Sequence, residues 1–189
     1  VVFYFYIMSR KYKFHEKEGA YFISFAVVNW IDVFTRMEYF NIITESLNYC
    51  RKNKGMLIFG YCIMPSHIHL IFRSADAKPS ELMRDFKGFT SKRLLQAIKE
   101  NKQESRREWM LEQFEASGKL KSNVKHYQFW QQDNHPIEIW SNHVFEQKLN
   151  YIHENPVKSG FVYASWDWKY SSARNYIEGQ ECILEIDVI

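Results

Sequence analysis

The chain has 189 residues, 46% of them hydrophobic and 25% charged, with a formal net charge of +3. That length fits a single domain, residues 1–189, with a C-terminal tail from 156 to 189. A chain of this size buries roughly 70% of its unfolded surface, enough to fold without a disulfide or structural metal. The composition excludes a disordered or fibrous chain, no segment is apolar for long enough to span a membrane, and the mild basicity permits nucleic-acid binding without arguing for it.

Cys50, Cys62 and Cys182 are widely spaced and form no CxxC pair, which argues against a zinc ribbon or a redox site. Their odd number and the lack of a secretion signal suggest a reduced, cytoplasmic protein. Residues 1–7, VVFYFYI, precede Met8, which is read as the natural start, the first seven residues being adventitious. Basic side chains gather at Arg84, Lys87, Lys92 and Arg93, at Arg106 and Arg107, and at Lys119, Lys121 and Lys125. Each group serves equally well as a solvated face or as a phosphate contact.

Residues 20–29, AYFISFAVVN, are aromatic and β-branched and read as a strand. A loop from Asp32 to Arg36 follows. Phe40, Ile43, Leu47 and Cys50 recur at helical spacing, so 38–53 is an amphipathic helix, stopped by Gly55. Residues 56–64 form a buried strand, Pro65-Ser66 a tight turn, and 67–73 the returning strand. Residues 79–99 form a second helix with Leu82, Phe86, Phe89, Leu94 and Ile98 inward. The polar stretch 101–125 holds one short helix around Trp109, Leu111 and Phe114. Residues 126–132, HYQFWQQ, are assigned to a strand. A further helix covers 141–155 and ends at Asn155-Pro156, because proline disfavours helix in the residue before it. The tail is loop-rich. This order suggests a ferredoxin-like α+β sandwich, an antiparallel sheet with helices on one face and the other face free for a ligand.

Two places carry chemistry. In a strand, residues two apart share a face, so His67 and His69 project together while Ile68, Leu70 and Phe72 point the other way. Two imidazoles on one face make a platform for a divalent metal, although a short HxH alone serves equally as a hydrogen-bonded pair. On the 141–155 helix, Phe145, Leu149 and Ile152 make the core stripe, and Tyr151 lies off it with Asn155 one turn further along. Such a tyrosine lies at a cleft edge or simply packs at a helix margin. His153 falls on the far side from Tyr151 and reads as structural.

MPSHIHLIF, followed about eighty residues later by LNYIHENPVKSGFV, resembles the HUH-type single-tyrosine transposases, in particular the REP-associated tyrosine transposase branch. FKGFTSKRL, FWQQ and YSSARNY extend the resemblance over most of the chain. It implies His67 and His69 as the HUH pair, Tyr151 as the nucleophile and Asn155 as a third metal ligand. Ser66 stands where members often have asparagine, at a turn position that is not a ligand. The resemblance further implies Mg²⁺ or Mn²⁺, a 5′-phosphotyrosine intermediate, and single-stranded, hairpin-forming DNA as partner. It leaves open whether the protein is a monomer or a homodimer. Arg84, Lys87, Arg93 and Lys158 are the expected phosphate contacts. Two alternatives stay open: a domesticated, non-cleaving hairpin-binding protein of the same fold, and an unrelated metal hydrolase. The hydrolase would need carboxylate ligands, and Asp76 is the nearest acid to the HIH strand.

Overall fold

The computed structural model describes residues 14–120, 126–132, 134–177 and 182–188. The initial VVFYFYI, Met8, Lys121 and Lys125 lie outside them. The first strand, β1 (Tyr21–Ala26), stops short of the expected 20–29. Its chain then turns through one 3-10 turn, Val28–Trp30. Helix α1 (Met37–Asn53) follows and ends where expected, with Gly55 at φ 62 just beyond it. Only glycine takes that conformation without strain. Strands β2 (Met56–Ile63) and β3 (His67–Ser74) form an antiparallel hairpin around Pro65-Ser66. Helices α2 (Pro79–Glu100) and α3 (Arg107–Lys119), a two-residue strand β4 (Ile137–Glu138) and helix α4 (Asn142–Lys158) complete the order.

The sheet runs β2-β3-β1-β4 with every pair antiparallel, as in a ferredoxin-like sandwich. The fourth strand is not the expected 126–132. Phe129 and Trp130 are both buried in one core, and neighbours that point the same way cannot alternate as strand residues do. The segment keeps one bridge, Val27 to Trp130, and donates Gln131 N–H to the Ala26 carbonyl at 2.8 Å.

Two cores flank the sheet. On one face Ile23, Phe25, Leu70 and Phe72 pack with Leu47 of α1 and Phe86 and Leu94 of α2. Phe89 is exposed rather than inward. Thr90 takes the inward place on the line through Phe86 and Leu94, and its hydroxyl donates to the Phe86 carbonyl and accepts from Trp130 Nε1. The second face, expected from the sequence to be free, is partly covered by α4. Leu149 and Ile152 pack there on Phe22, Phe59, Cys62 and Ile71. Gly60 admits the helix: a Cβ at that position would stand 2.8 Å from Leu149 Cδ1.

Helix α4 begins at Ser141, whose hydroxyl accepts the Val144 N–H. It runs through Pro156 rather than ending before it. Proline costs the helix the hydrogen bond to the Ile152 carbonyl, but it lies within the final turn and its ring is buried. The true stop is Gly160, φ 75, with Gly160 N–H to Val157 O and Phe161 N–H to Pro156 O, both 2.9 Å. Those two bonds are the Schellman pattern. The tail is packed rather than loose: a 3-10 turn at Ser165–Asp167 sits against α4, a second at Ser172–Tyr176 leans on β2, and Asp187 accepts from Ile58 N–H and Arg51. None of Cys50, Cys62 and Cys182 takes part in a disulfide.

Candidate functional site

Strand β3 sets the site. His67, His69 and Ile71 share the α4 face, while Ile68, Leu70 and Phe72 enter the other core. His69 sits opposite Ser24 of β1 and Cys62 of β2 in the ladder, so it lies mid-sheet and only 3% exposed. Its ring stacks 5.8 Å from Phe22 and lies 4.8 Å from the His67 ring. Among the described residues, neither of its ring nitrogens has a hydrogen-bond partner. A buried polar atom left in that state costs about 1–3 kcal/mol, so it needs an explanation.

Helix α4 brings Tyr151 to the same place. The apolar stripe of Leu149, Ile152 and Pro156 faces the sheet, and by the helical repeat Tyr151 falls on one flank and His153 on the other. The Tyr151 ring lies 5.2 Å from His69 and 5.9 Å from Phe22, and it is 45% exposed. His153 turns away: its Nε2 meets Ser172 Oγ at 2.9 Å, and that hydroxyl donates to the Tyr61 carbonyl. His153 therefore ties α4 to β2, which is the structural role expected for it.

Burial governs the protonation of the pair. It pushes His69 down to about 3, with His67 adding to the effect, and it lowers His67 as well, opposed by Asp32. Both imidazoles are thus neutral near pH 7, the form that offers a lone pair to a cation. Among the described residues no three of His, Cys, Asp or Glu cluster as a metal site. Two neutral imidazoles on one face suit a divalent ion, and Asn155, the third ligand that the family resemblance implies, lies one turn beyond Tyr151 on the same side of α4. The orphaned nitrogens of His69 fit that role.

The expected phosphate contacts divide. Arg84, Lys87 and Arg93 lie on α2, across the sheet from the imidazoles. Arg84 pairs with Asp85, and Lys87 donates to Gln131 O at 2.8 Å and Asn134 Oδ1 at 2.7 Å. Arg106 is held by Glu104 and by the Asp32 carbonyl, and Lys119 pairs with Glu115. Lys158, exposed in the last turn of α4, shares the Tyr151 side of that helix. The sequence reading missed Lys148, whose ammonium lies 5.3 Å from the Phe22 ring centroid. Its spacing, three residues before Tyr151, was the available signal.

Residues 23–127, more than half of the chain, match the family described as transposase IS200 like. The chain belongs to the IS200-like transposase family. The matched span contains His67 and His69 and ends before Tyr151. No curated protein matches this transposase in sequence. Its fold is similar to a solved structure described as the REP-associated tyrosine transposase bound to a REP hairpin. The TM-score is 0.65 at 18% identity, over 96% of this chain and 93% of that one. No helix among the described residues is long and apolar enough to cross a membrane.

Proposed function

We propose that this IS200-like transposase cleaves and rejoins single-stranded DNA with Tyr151 as nucleophile and a divalent metal, Mg²⁺ or Mn²⁺, held by His67, His69 and Asn155. The observation that carries the reading is the buried His69, both nitrogens unpartnered, with its ring 5.2 Å from the exposed Tyr151. Membership of a transposase family supports DNA as the substrate, and the REP-hairpin complex of the similar fold supports a hairpin-forming strand.

A phenol is a weak nucleophile near pH 7, with a pKa of about 10, so orientation matters. Packing of Leu149 and Ile152 fixes α4, and Phe22 and His69 border the ring of Tyr151. Tyr151 Oη bonds to phosphorus, the bond to the 3′-oxygen breaks, and the phenol proton passes through solvent to that departing oxygen. The products are a 5′-phosphotyrosine and a 3′-hydroxyl, and a second 3′-hydroxyl reverses the step without ATP. A bound metal supplies charge against the non-bridging phosphate oxygens. Lys148 and Lys158, on the Tyr151 side of α4, would hold neighbouring phosphates.

The test is incubation with labelled hairpins from the DNA flanking the protein's own gene, with and without Mn²⁺. The reading expects a metal-dependent nick in the single-stranded flank. Tight hairpin binding with no nick under any divalent metal would make the protein a binding module instead.

A further inference from the structure

Between β1 and α1 the chain adopts an uncommon backbone conformation. Asn29 and Trp30 both take left-handed backbone, φ 55 and 54. A bulky residue seldom does so, because its Cβ crowds the adjoining carbonyl, and it persists only where the surroundings hold it. Here they hold it from several directions. Val27 N–H donates to Ser66 O at 2.8 Å, Val28 N–H to Phe129 O at 2.9 Å, and Trp30 N–H to Val27 O at 3.1 Å. Asn29 Nδ2 donates to Gln113 Oε1 at 3.1 Å. The FWQQ segment, although not a strand, is thus the brace for this turn.

What the brace presents is an indole that is 59% exposed, while Val28 and Ile31 beside it are buried. The Trp30 ring lies 5.4 Å from His67, tilted 70° to it. Four rings therefore follow in sequence, Trp30, His67, His69 and Tyr151, with centroid steps of 5.4, 4.8 and 5.2 Å. Trp30 occupies the end opposite the tyrosine. A large apolar ring held in water next to a polar site is a poor packing choice and a suitable surface for an unpaired base.

We propose that Trp30 is the stacking platform for one unpaired base of the substrate strand, on the His67 side of the site. This rests on the reading of the site as one for single-stranded DNA. Stacking accepts any base, since every base has a π face, so the contact sets where the strand lies rather than which sequence it has.

The test is an abasic scan. A hairpin with a single-stranded flank is made with one abasic position at a time around the nick, and binding is measured in EDTA with the full chain. The wild type should lose about tenfold in affinity at one position near the nick. Trp30→Ala should bind the intact hairpin about tenfold more weakly and show no further loss at that position, Trp30→Phe should restore most of the difference, and Trp140→Ala, which removes another exposed indole just before α4, should behave as wild type. A flat scan in the wild type overturns the proposal, as does a Trp30→Ala protein that still loses affinity at the same position. If the wild type fails to bind the single-stranded flank at all, the site reading itself falls. If it binds and nicks but the scan is flat, only the platform falls.

Discussion

The ring of Tyr151 stands 75° to that of His69 with 5.2 Å between centroids, although the two residues come from a helix and a strand eighty-two positions apart in the chain. The contact depends on α4 lying on the sheet face that carries both imidazoles.

The unpartnered nitrogens of His69 give the first prediction. Replacing a buried, unsatisfied polar side chain by an apolar one of similar size removes a desolvation cost. His69→Leu should therefore raise the stability of the metal-free protein by about 1 kcal/mol. Wild type should gain about 2.7 kcal/mol at Mn²⁺ one hundred times the dissociation constant, and the variant should gain nothing. Denaturant unfolding with and without Mn²⁺ measures both. A variant that is less stable without metal, or that still responds to it, contradicts the site.

The placement of cations gives the second. Lys148 and Lys158 share the Tyr151 side of α4, whereas Arg93 lies on α2 across the sheet. Lys148→Gln and Lys158→Gln should each reduce the slope of log affinity against log salt for single-stranded DNA by roughly 0.7, and Arg93→Gln should leave it unchanged. Binding titrations at four or five salt concentrations suffice. A reduced slope for Arg93→Gln alone would move the strand to the other face.

The third concerns acid stability. Burial pushes His153 down to about 4. The unfolded imidazole titrates near 6.5, so below that pH the unfolded chain takes up a proton that the folded chain refuses. Stability is then lost as pH falls from about 6.5 to about 4, at up to roughly 1.4 kcal/mol per pH unit for this group, and no faster below. His153→Gln, which can still hydrogen-bond Ser172, should flatten that part of the curve relative to wild type. His69 contributes in the same direction in both proteins and cancels in the comparison. Parallel curves from pH 6.5 to 4 would contradict the assignment.

Much of this was legible in the sequence because it rests on short-range periodicity. The alternation His67, Ile68, His69, Leu70 fixes which side chains share a face, and the 3.6-residue repeat of Leu149 and Ile152 fixes where Tyr151 points. The parts that were not legible depend on packing between distant segments. Pro156 reads as a helix stop, yet the helix ends only at the Gly160 turn. Phe129 and Trp130 have strand-like composition, but both sink into one core and leave β4 to Ile137–Glu138. Nothing local shows that α2 and its arginines face away from the imidazoles, since that follows from which sheet face each helix covers.

The most direct test of the account is the covalent adduct. Tyr151→Phe removes one hydroxyl from a side chain that is 45% exposed, so fold, metal binding and hairpin affinity should be unchanged. Wild type and variant are incubated with labelled hairpin DNA and Mn²⁺ and run on a denaturing gel. The account predicts a protein–DNA band for the wild type, mapped by peptide analysis to Tyr151, and none for the variant. A band that persists in the variant, or that maps to another of the 12 tyrosines, would contradict it.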